Sequence, residues 1–451
     1  METTLPPEMI IKIFQQLSPR DLKNVVMVCK MWKMLAEDPS LWTWCQVAIQ
    51  NTNDLKKLSL SRLKWIENVI LTDCHPHSLN MLLKRFERLP KLKMITGLSC
   101  ENLTYVEPNL LARVVNKVEY AEWCFLTNIT SEQAEIVFKQ MSEKTELLEM
   151  KVINSNKKLH SINTKVLASA LNTLEVLWIS DSITASQTKE LFSTMSNGTK
   201  LTVLCLCDIN LSMTQATDLA KGVSRLKVLI FLRVGNKPYD TDLSASQAIA
   251  LFTIISKGTQ LEVLQISTKQ LPRIKASTLA KALNNLEDVS LNDSKITSEQ
   301  VQAIFKVMSE DTKLKSLDSL RHNLSMIPPS NFGKGLSRVE AVSLKHCHLT
   351  KDQVIALFLA ISSGSQLKVL DLSFNKLSSM EPYFLARGVN MVEQVNLTRT
   401  FLTSEQINCI FTVFLEEDTN LECLSIESID VQKGDPELVA KARLKFKEGN
   451  F

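Results

Sequence analysis

The sequence has few of the residues and motifs on which enzymes, membrane proteins and nucleic-acid-binding proteins depend. Glycine occurs 11 times and proline 13 times in 451 residues, which is too few for a collagen or a glycine-dense nucleotide-binding enzyme. It contains neither a glycine-rich phosphate loop nor a His-Glu-x-x-His motif. No apolar run approaches the length of a membrane span, and the net charge is only +4. We therefore expect a non-catalytic protein with no cofactor, no membrane partner and no nucleic-acid partner.

Cysteine is present, but in no recognisable pattern. The ten cysteines lack the spacing of a disulfide framework, and the opening METTLPPEMI has no basic region before an apolar stretch. The segments Cys205-Leu-Cys207 and His346-Cys-His348 each place two potential metal ligands on one strand face, but no partners follow at the spacing of a tetrahedral site. We expect reduced thiols, no metal site, no secretory signal, and a cytoplasmic and/or nuclear location.

The first forty residues differ from the rest of the chain. Pro6 and Pro7 suit the first turn of a helix because their fixed φ is close to the helical value. Ser18 with Pro19 then predicts the start of a second helix. Apolar residues recur at i, i+3, i+4 and i+7 on these helices, at Ile10, Ile13, Phe14 and Leu17 and at Leu22, Val25, Val26 and Cys29. Three short helices cannot bury so many apolar groups, so they form an interface or pack on the rest of the chain.

The order and spacing of these residues resemble the F-box motif over about residues 3–44. The matching positions are Leu5, Pro6, Glu8, Ile13, Leu17, Asp21, Leu22, Val28, Cys29, Trp32, Leu41 and Trp42. An F-box docks on the Skp adaptor of a cullin–RING ubiquitin ligase. The resemblance implies that this contact, or its immediate support, is formed by Leu5, Pro6, Ile13, Leu17, Leu22, Val25, Val28, Trp32, Leu41 and Trp42.

From about residue 60 the sequence is periodic. The pattern Leu-x-x-Leu-x-Leu recurs, as in LEVLWI from Leu174 and LKVLDL from Leu367. Its first positions are residues 66, 92, 118, 147, 174, 201, 226, 261, 286, 314, 339, 367, 392 and 421, which makes fourteen units. A Ser/Thr-x-x-Gln capping box precedes an apolar helical face in alternate units, beginning at Thr130, Thr184, Ser244, Thr297, Thr350 and Thr403.

Each unit of 25–29 residues predicts one short strand and one helix, and stacking buries the apolar face that a single unit leaves open. This α/β pattern resembles a leucine-rich repeat horseshoe of the ribonuclease-inhibitor style. We predict an F-box helical domain at residues 1–44, a packed junction at 45–65, the repeat solenoid at 66–432 and a C-terminal cap at 433–451. The register of the first three units is left open.

Alternation along each strand assigns positions 1, 4 and 6 of the pattern to the core and positions 3, 5 and 7 to the concave surface. The concave positions are apolar in the middle of the solenoid and ordinary polar sheet in its second half, with the unit at residue 314 irregular. The predicted client-binding residues are Val176, Trp178, Val203, Cys205, Val228, Ile230, Leu232 and Arg233. Cys207 extends this patch, and Asp181 and Asp208 share its rim with Arg233.

An aromatic anchor among apolar residues with a charged rim is typical of an interface hot spot. The β propensity of Val, Ile and Trp, or cover by the N-terminal domain, explains the same residues without a client. The whole chain resembles F-box proteins with leucine-rich repeats, which implies a substrate receptor of a Skp–cullin–F-box ligase with an unknown client. A ligase-independent scaffold stays open, as does an inhibitor or sensor protein whose helical module only caps the solenoid.

Overall fold

The computed structural model describes residues 5–43, 46–49, 64–71, 74, 76–96, 103–121, 129–152, 158–180, 183–232, 242–291, 294–318 and 322–446. The chain divides into two compact units, residues 1–214 and 215–451. Most of the predicted junction, residues 50–63, lies outside the described residues, so its packing stays a prediction. Unit 1 contains the N-terminal helices and the first strands, and unit 2 contains the remaining repeats.

Four helices form the N-terminal module, where three were predicted. They are α1 (Pro7–Phe14), α2 (Pro19–Val25), α3 (Lys30–Leu35) and α4 (Pro39–Thr43). The predicted cap is present, because the Ser18 hydroxyl accepts a hydrogen bond from the Asp21 amide at 3.2 Å. The fourth helix begins at Pro39, which suits a first turn. It buries Trp42, whose indole Nε1 donates to the Ala36 carbonyl at 2.9 Å.

The rest of unit 1 alternates strands with helices. Its strands are β1 (Gln46–Ile49), β2 (Asn68–Leu71), β3 (Met94–Thr96), β4 (Tyr120–Ala121), β5 (Glu149–Val152), β6 (Val176–Ser180) and β7 (Val203–Cys207). Its helices are α5 (Pro76–Phe86), α6 (Pro108–Lys117), α7 (Ser131–Glu143), α8 (Thr164–Leu171) and α9 (Ala185–Asn197), with 3-10 turns at Leu103–Tyr105 and Lys158–Ser161. Strand β1 was not predicted and lies within the expected junction.

Unit 2 continues the alternation. Its strands are β8 (Val228–Leu232), β9 (Val263–Ile266), β10 (Asp288–Ser290), β11 (Ser316–Asp318), β12 (Ala341–Ser343), β13 (Val369–Asp371), β14 (Gln394–Asn396) and β15 (Cys423–Ser425). Its helices are α10 (Ala216–Val223), α11 (Ala245–Ser256), α12 (Ala276–Asn284), α13 (Ser298–Glu310), α14 (Pro329–Leu336), α15 (Lys351–Ser362), α16 (Pro382–Asn390), α17 (Ser404–Glu416), α18 (Ser428–Val431) and α19 (Pro436–Lys445), with a 3-10 turn at Leu271–Arg273.

Neighbouring strands within each unit are parallel and in register, as leucine-rich repeats require. The described strands number fifteen, one more than predicted. Strands β2, β3 and β4 begin at position 3 of the three units whose register was open. The unit at residue 314 is regular, because Asp318 pairs with Ser290 at position 5. Positions 3 and 5 share one side of the sheet in each unit, which we call the open face. Position 4 is buried in every unit, and position 6 is buried wherever it is described except at Ile426, which is half-buried.

All six predicted capping boxes are formed. Their glutamines are buried, and those of five boxes bind the preceding repeat in the same unit. Gln353 accepts from the Thr350 amide at 3.0 Å while its Nε2 donates to the carbonyls of Leu324 and Ile327 at 2.6 and 2.9 Å. Equivalent pairs of bonds are made by Gln133, Gln187, Gln300 and Gln406. Each such side chain therefore joins one repeat to the one before it.

Helices of adjacent repeats in unit 2 approach closely where one of them carries glycine. A Cβ atom on Gly388 of α16 would lie 2.3 Å from the Phe358 ring of α15, which is buried. A Cβ on Gly335 of α14 would meet the Met308 side chain at 3.3 Å, which a small shift accommodates. Gly388 thus lets two helices pack at a distance that any side chain prevents.

We expect Gly388→Ala to destabilise unit 2, because the added methyl group displaces the Phe358 ring at a cost of about 1–3 kcal/mol. Gly335→Ala is the matched control. There the gain in helix propensity, about 1 kcal/mol, offsets a milder contact. Thermal unfolding followed by circular dichroism measures both variants. A Gly388→Ala midpoint equal to that of the wild type would contradict the close packing.

Candidate functional site

The N-terminal module buries one stripe of its apolar residues and exposes another. Ile10 and Phe14 of α1 are buried four residues apart, as one helical face requires. The ring of Phe14 packs edge-on against the half-buried Trp32 of α3, with centroids 5.3 Å apart and planes at 76°. This contact holds α1 against α3 and leaves the opposite side of α1 in solvent.

Exposed apolar side chains are concentrated on these helices. Leu5 is 53% exposed and Val28, in the turn after α2, is 61% exposed. We call this set the adaptor surface; its members are Leu5, Met9, Ile13, Met27, Val28, Met31 and Met34. So many large apolar groups on a module of about forty residues indicate an interaction site. Methionine suits such a site because its flexible, polarisable side chain adapts to a partner.

The ten residues of the F-box prediction occupy both sides of the module. Exposed residues that can contact a partner are Leu5, Pro6, Ile13 and Val28. Half-buried residues are Leu17 and Trp32, and buried residues are Leu22, Val25, Leu41 and Trp42. The last group supports the helices from within. The sequence analysis missed the four exposed methionines because none of them stands at a position that the F-box motif specifies.

In unit 1 the predicted client residues lie on the open face of β6 and β7. Val176 and Val203 are paired neighbours, and both are half-buried. Trp178 is half-buried, with the Lys151 ammonium 5.6 Å from its ring centroid. Lys151 also pairs with Glu149 at 3.3 Å. The tryptophan is therefore held beside a cation and remains partly available to a partner.

Cys205 was predicted on this surface, but its side chain is only 1% exposed. Its neighbour across the sheet is the larger, half-buried Trp178. A hydrogen bond with the Cys207 thiol, together with burial, raises the pKa of Cys205. The same hydrogen bond lowers the pKa of the half-buried Cys207 to about 7. Cys205 therefore supports the surface, and Cys207 presents the accessible thiol.

The unit 2 members of the predicted patch are Val228, Ile230 and Leu232 of β8, and all three are half-buried. Arg233 and Asp181 lie outside the described residues. Asp208 is buried, with a left-handed backbone (φ 52°) directly after β7. The continuity of the patch from β7 to β8 stays a prediction.

The His346-Cys-His348 segment of unit 2 is engaged in packing. Cys347 is buried, and burial raises the pKa of its thiol to about 12. The ring of His346 packs against the ring of Phe374, with centroids 4.1 Å apart and planes tilted by 33°. Within the described residues no group of three or more His, Cys, Asp or Glu side chains is arranged to hold a metal ion. Among those same residues, no helix has both the length and the apolar character needed to cross a membrane.

Comparison with known proteins gives one family match and several structural likenesses. The family model described as F-box-like matches residues 3–45. One chain of the yeast Rad7–Elc1 complex is similar over 84% of this chain and 87% of its own length, with 13% identity and a TM-score of 0.48. The leucine-rich repeat-containing protein LegL7 from Legionella pneumophila is similar over 67% of this chain and 99% of its own, with 15% identity and a TM-score of 0.38. No curated protein matches the sequence. The chain thus carries an F-box-like domain at its N-terminus. The leucine pattern and the parallel, in-register strands of the units that follow are those of leucine-rich repeats.

Proposed function

We propose that this protein is a substrate receptor of a Skp–cullin–F-box ubiquitin ligase. The adaptor surface docks on the Skp adaptor, which links the chain to the cullin, and the open face of the repeats binds a client protein. The observation that carries the proposal is the coincidence of two features in one segment. Residues 3–45 match the F-box-like model, and the same segment exposes Leu5, Ile13 and Val28.

The receptor carries out no bond chemistry in this proposal. It holds the client near the ubiquitin-loaded conjugating enzyme, which raises the local concentration of client lysines and fixes their orientation. Regular repeats suit such a task because neighbouring repeats within a unit are bonded to each other, as Gln300 and Gln406 illustrate. The cytoplasm and the nucleus, where such ligases work, are the proposed locations.

A pull-down from eukaryotic cell lysate tests the proposal. The full chain is compared with a version that lacks residues 1–44, and both are probed for the Skp adaptor and for cullin. We expect only the full chain to retain both proteins. Retention of neither protein by the full chain would contradict the ligase role and leave a capped repeat protein that binds other partners. Retention of both by the shortened chain would contradict the assignment of the adaptor surface.

A further inference from the structure

The open face of unit 2 contains a groove that the sequence pattern alone did not indicate. Small side chains at positions 3 and 5 of β10, β11 and β12 leave a groove of about 400 Å³. Ser290, Ser316, Ala341 and Ser343 form its floor. Their size is what creates the concavity, since larger residues at the same positions would fill it. The groove lies entirely within residues 263–371 of unit 2.

Every charged group that lines this groove is a carboxylate. Asp288 stands at position 3 of β10, Asp318 at position 5 of β11 and Asp371 at position 5 of β13. The Ser290 and Ser343 hydroxyls point toward them, at 3.4 Å from Asp318 and 3.5 Å from Asp371. No lysine or arginine lines this groove among the described residues. The carboxylates therefore have no cationic partner on the floor.

The residues that directly precede the strands also carry a net negative charge. At position 2 of the eight repeats of unit 2 stand Lys227, Glu262, Glu287, Lys315, Glu340, Lys368, Glu393 and Glu422. Of these lysines, Lys315 is paired with Glu287 at 2.6 Å. Across positions 2, 3 and 5, five glutamates and three aspartates face three lysines, a net charge of −5. The whole chain carries +4, so negative charge is concentrated at these three positions of unit 2.

Positive charge lies at the other end of the same strands. Beyond β12, Lys345 is 5.0 Å from the Phe374 ring centroid, and beyond β14 the Arg399 guanidinium is 5.1 Å from that ring. Arg399 is also paired with Glu427 at 2.9 Å. Carboxylates therefore extend from the residues before the strands to the last strand residues Asp318 and Asp371, and we call this set at positions 2, 3 and 5 the acidic band. Cationic and aromatic side chains follow in the turns beyond the strands.

We propose that the acidic band of unit 2 binds a basic, extended segment of the client protein, rich in arginine or lysine. The proposal rests on the proposed function, in which the repeats bind a client, and it specifies the chemistry of that client. Asp318 and Asp371 lie two strands apart, which is about 10 Å. Cations three residues apart in a polyproline II chain, which has three residues per turn, project to the same side about 9 Å apart. Such a segment places one cation at each aspartate.

The probe is a fluorescent peptide of glycine and serine with four arginines at every third residue, and its binding to the full chain is followed by anisotropy. The test variant carries Asp288→Asn, Asp318→Asn and Asp371→Asn together. Asparagine keeps the shape and retains the oxygen that accepts from the Ser373 amide at 2.8 Å. The control variant, Glu310→Gln with Asp311→Asn and Asp418→Asn, removes three exposed charges at the end of α13 and after α17. Both variants change the net charge equally.

We expect the test variant to bind the peptide at least tenfold more weakly, and the control variant within twofold of the wild type. Raising the salt concentration should weaken wild-type binding steeply, because the groups are partly exposed. The proposal would be overturned by an equal loss of peptide affinity in both variants or by no binding of the wild type at low salt. It would also be overturned if a peptide with glutamate in place of arginine bound equally well. Adaptor binding is measured on the same samples. If the wild type binds the peptide as expected but does not bind the adaptor, only the ligase role is contradicted.

Discussion

Replacing Leu5 and Pro6 together with alanine is expected to weaken binding of the purified Skp adaptor by roughly 30- to 1000-fold. The two side chains are exposed in the free protein, so a partner can bury them. Loss of their burial removes about 2–4 kcal/mol of binding free energy. Neither residue lies in the module's core, and we therefore expect the circular dichroism spectrum to be unchanged. Isothermal titration calorimetry measures the affinity.

Leu444→Ala is the matched control, because Leu444 is also a largely exposed leucine but lies on α19 in unit 2. It should bind the adaptor as the wild type does. If the double variant binds normally, the adaptor surface is wrongly assigned. If it instead loses repeat structure or unfolds at a lower temperature, the helices act as a cap, which favours the inhibitor or sensor interpretation.

The largest effect on stability is expected from Gln353→Glu. The Gln353 side chain is 0% exposed, and its amide nitrogen donates to two carbonyl oxygens at 2.6 and 2.9 Å. A carboxylate places negative charge against both carbonyls and removes both donors. A buried, uncompensated charge of this kind costs about 3–5 kcal/mol. Chemical denaturation at pH 7 should therefore show unit 2 unfolding at a markedly lower denaturant concentration.

The pH dependence of this variant identifies the cause. Burial beside two carbonyls raises the folded-state pKa of the introduced carboxyl above its unfolded value of about 4.3. The variant's deficit relative to the wild type is therefore smallest below about pH 4.3 and grows as the pH rises through the folded-state pKa. Gln302→Glu, at an exposed position of α13, is the control and should show almost no deficit. A deficit that is independent of pH would contradict the donor role of Gln353.

Local signals in the sequence were sufficient to predict most of the repeat architecture. In every strand after β4, position 4 of the Leu-x-x-Leu-x-Leu pattern is buried as predicted. Thr350 and its equivalents cap their helices as expected. The bonds from Gln353 to Leu324 and Ile327 were not foreseen, because their acceptors lie 29 and 26 residues away. Strand β1 was missed because Gln46–Ile49 lacks the leucine pattern.

The candidate surfaces were harder to predict than the fold. The F-box spacing identifies the positions shared with that motif, so exposed residues between them, such as Met27 at 85% exposure, gave no signal. Cys205 was assigned to the open face by alternation alone, which gives the direction of a side chain but not its exposure. The groove at Asp318 was missed because the repeat from residue 314 departs from the leucine pattern. Such features depend on side-chain size across strands.

Hydrogen–deuterium exchange of the full chain, with and without purified Skp adaptor, tests the central claim most directly. The adaptor surface spans α1 to α3, so the complex should exchange more slowly within residues 5–35. Exchange in β9–β13 should be unchanged, since those strands are assigned to the client. Protection confined to the repeats, or no protection of residues 5–35 in a complex that forms, would contradict the account.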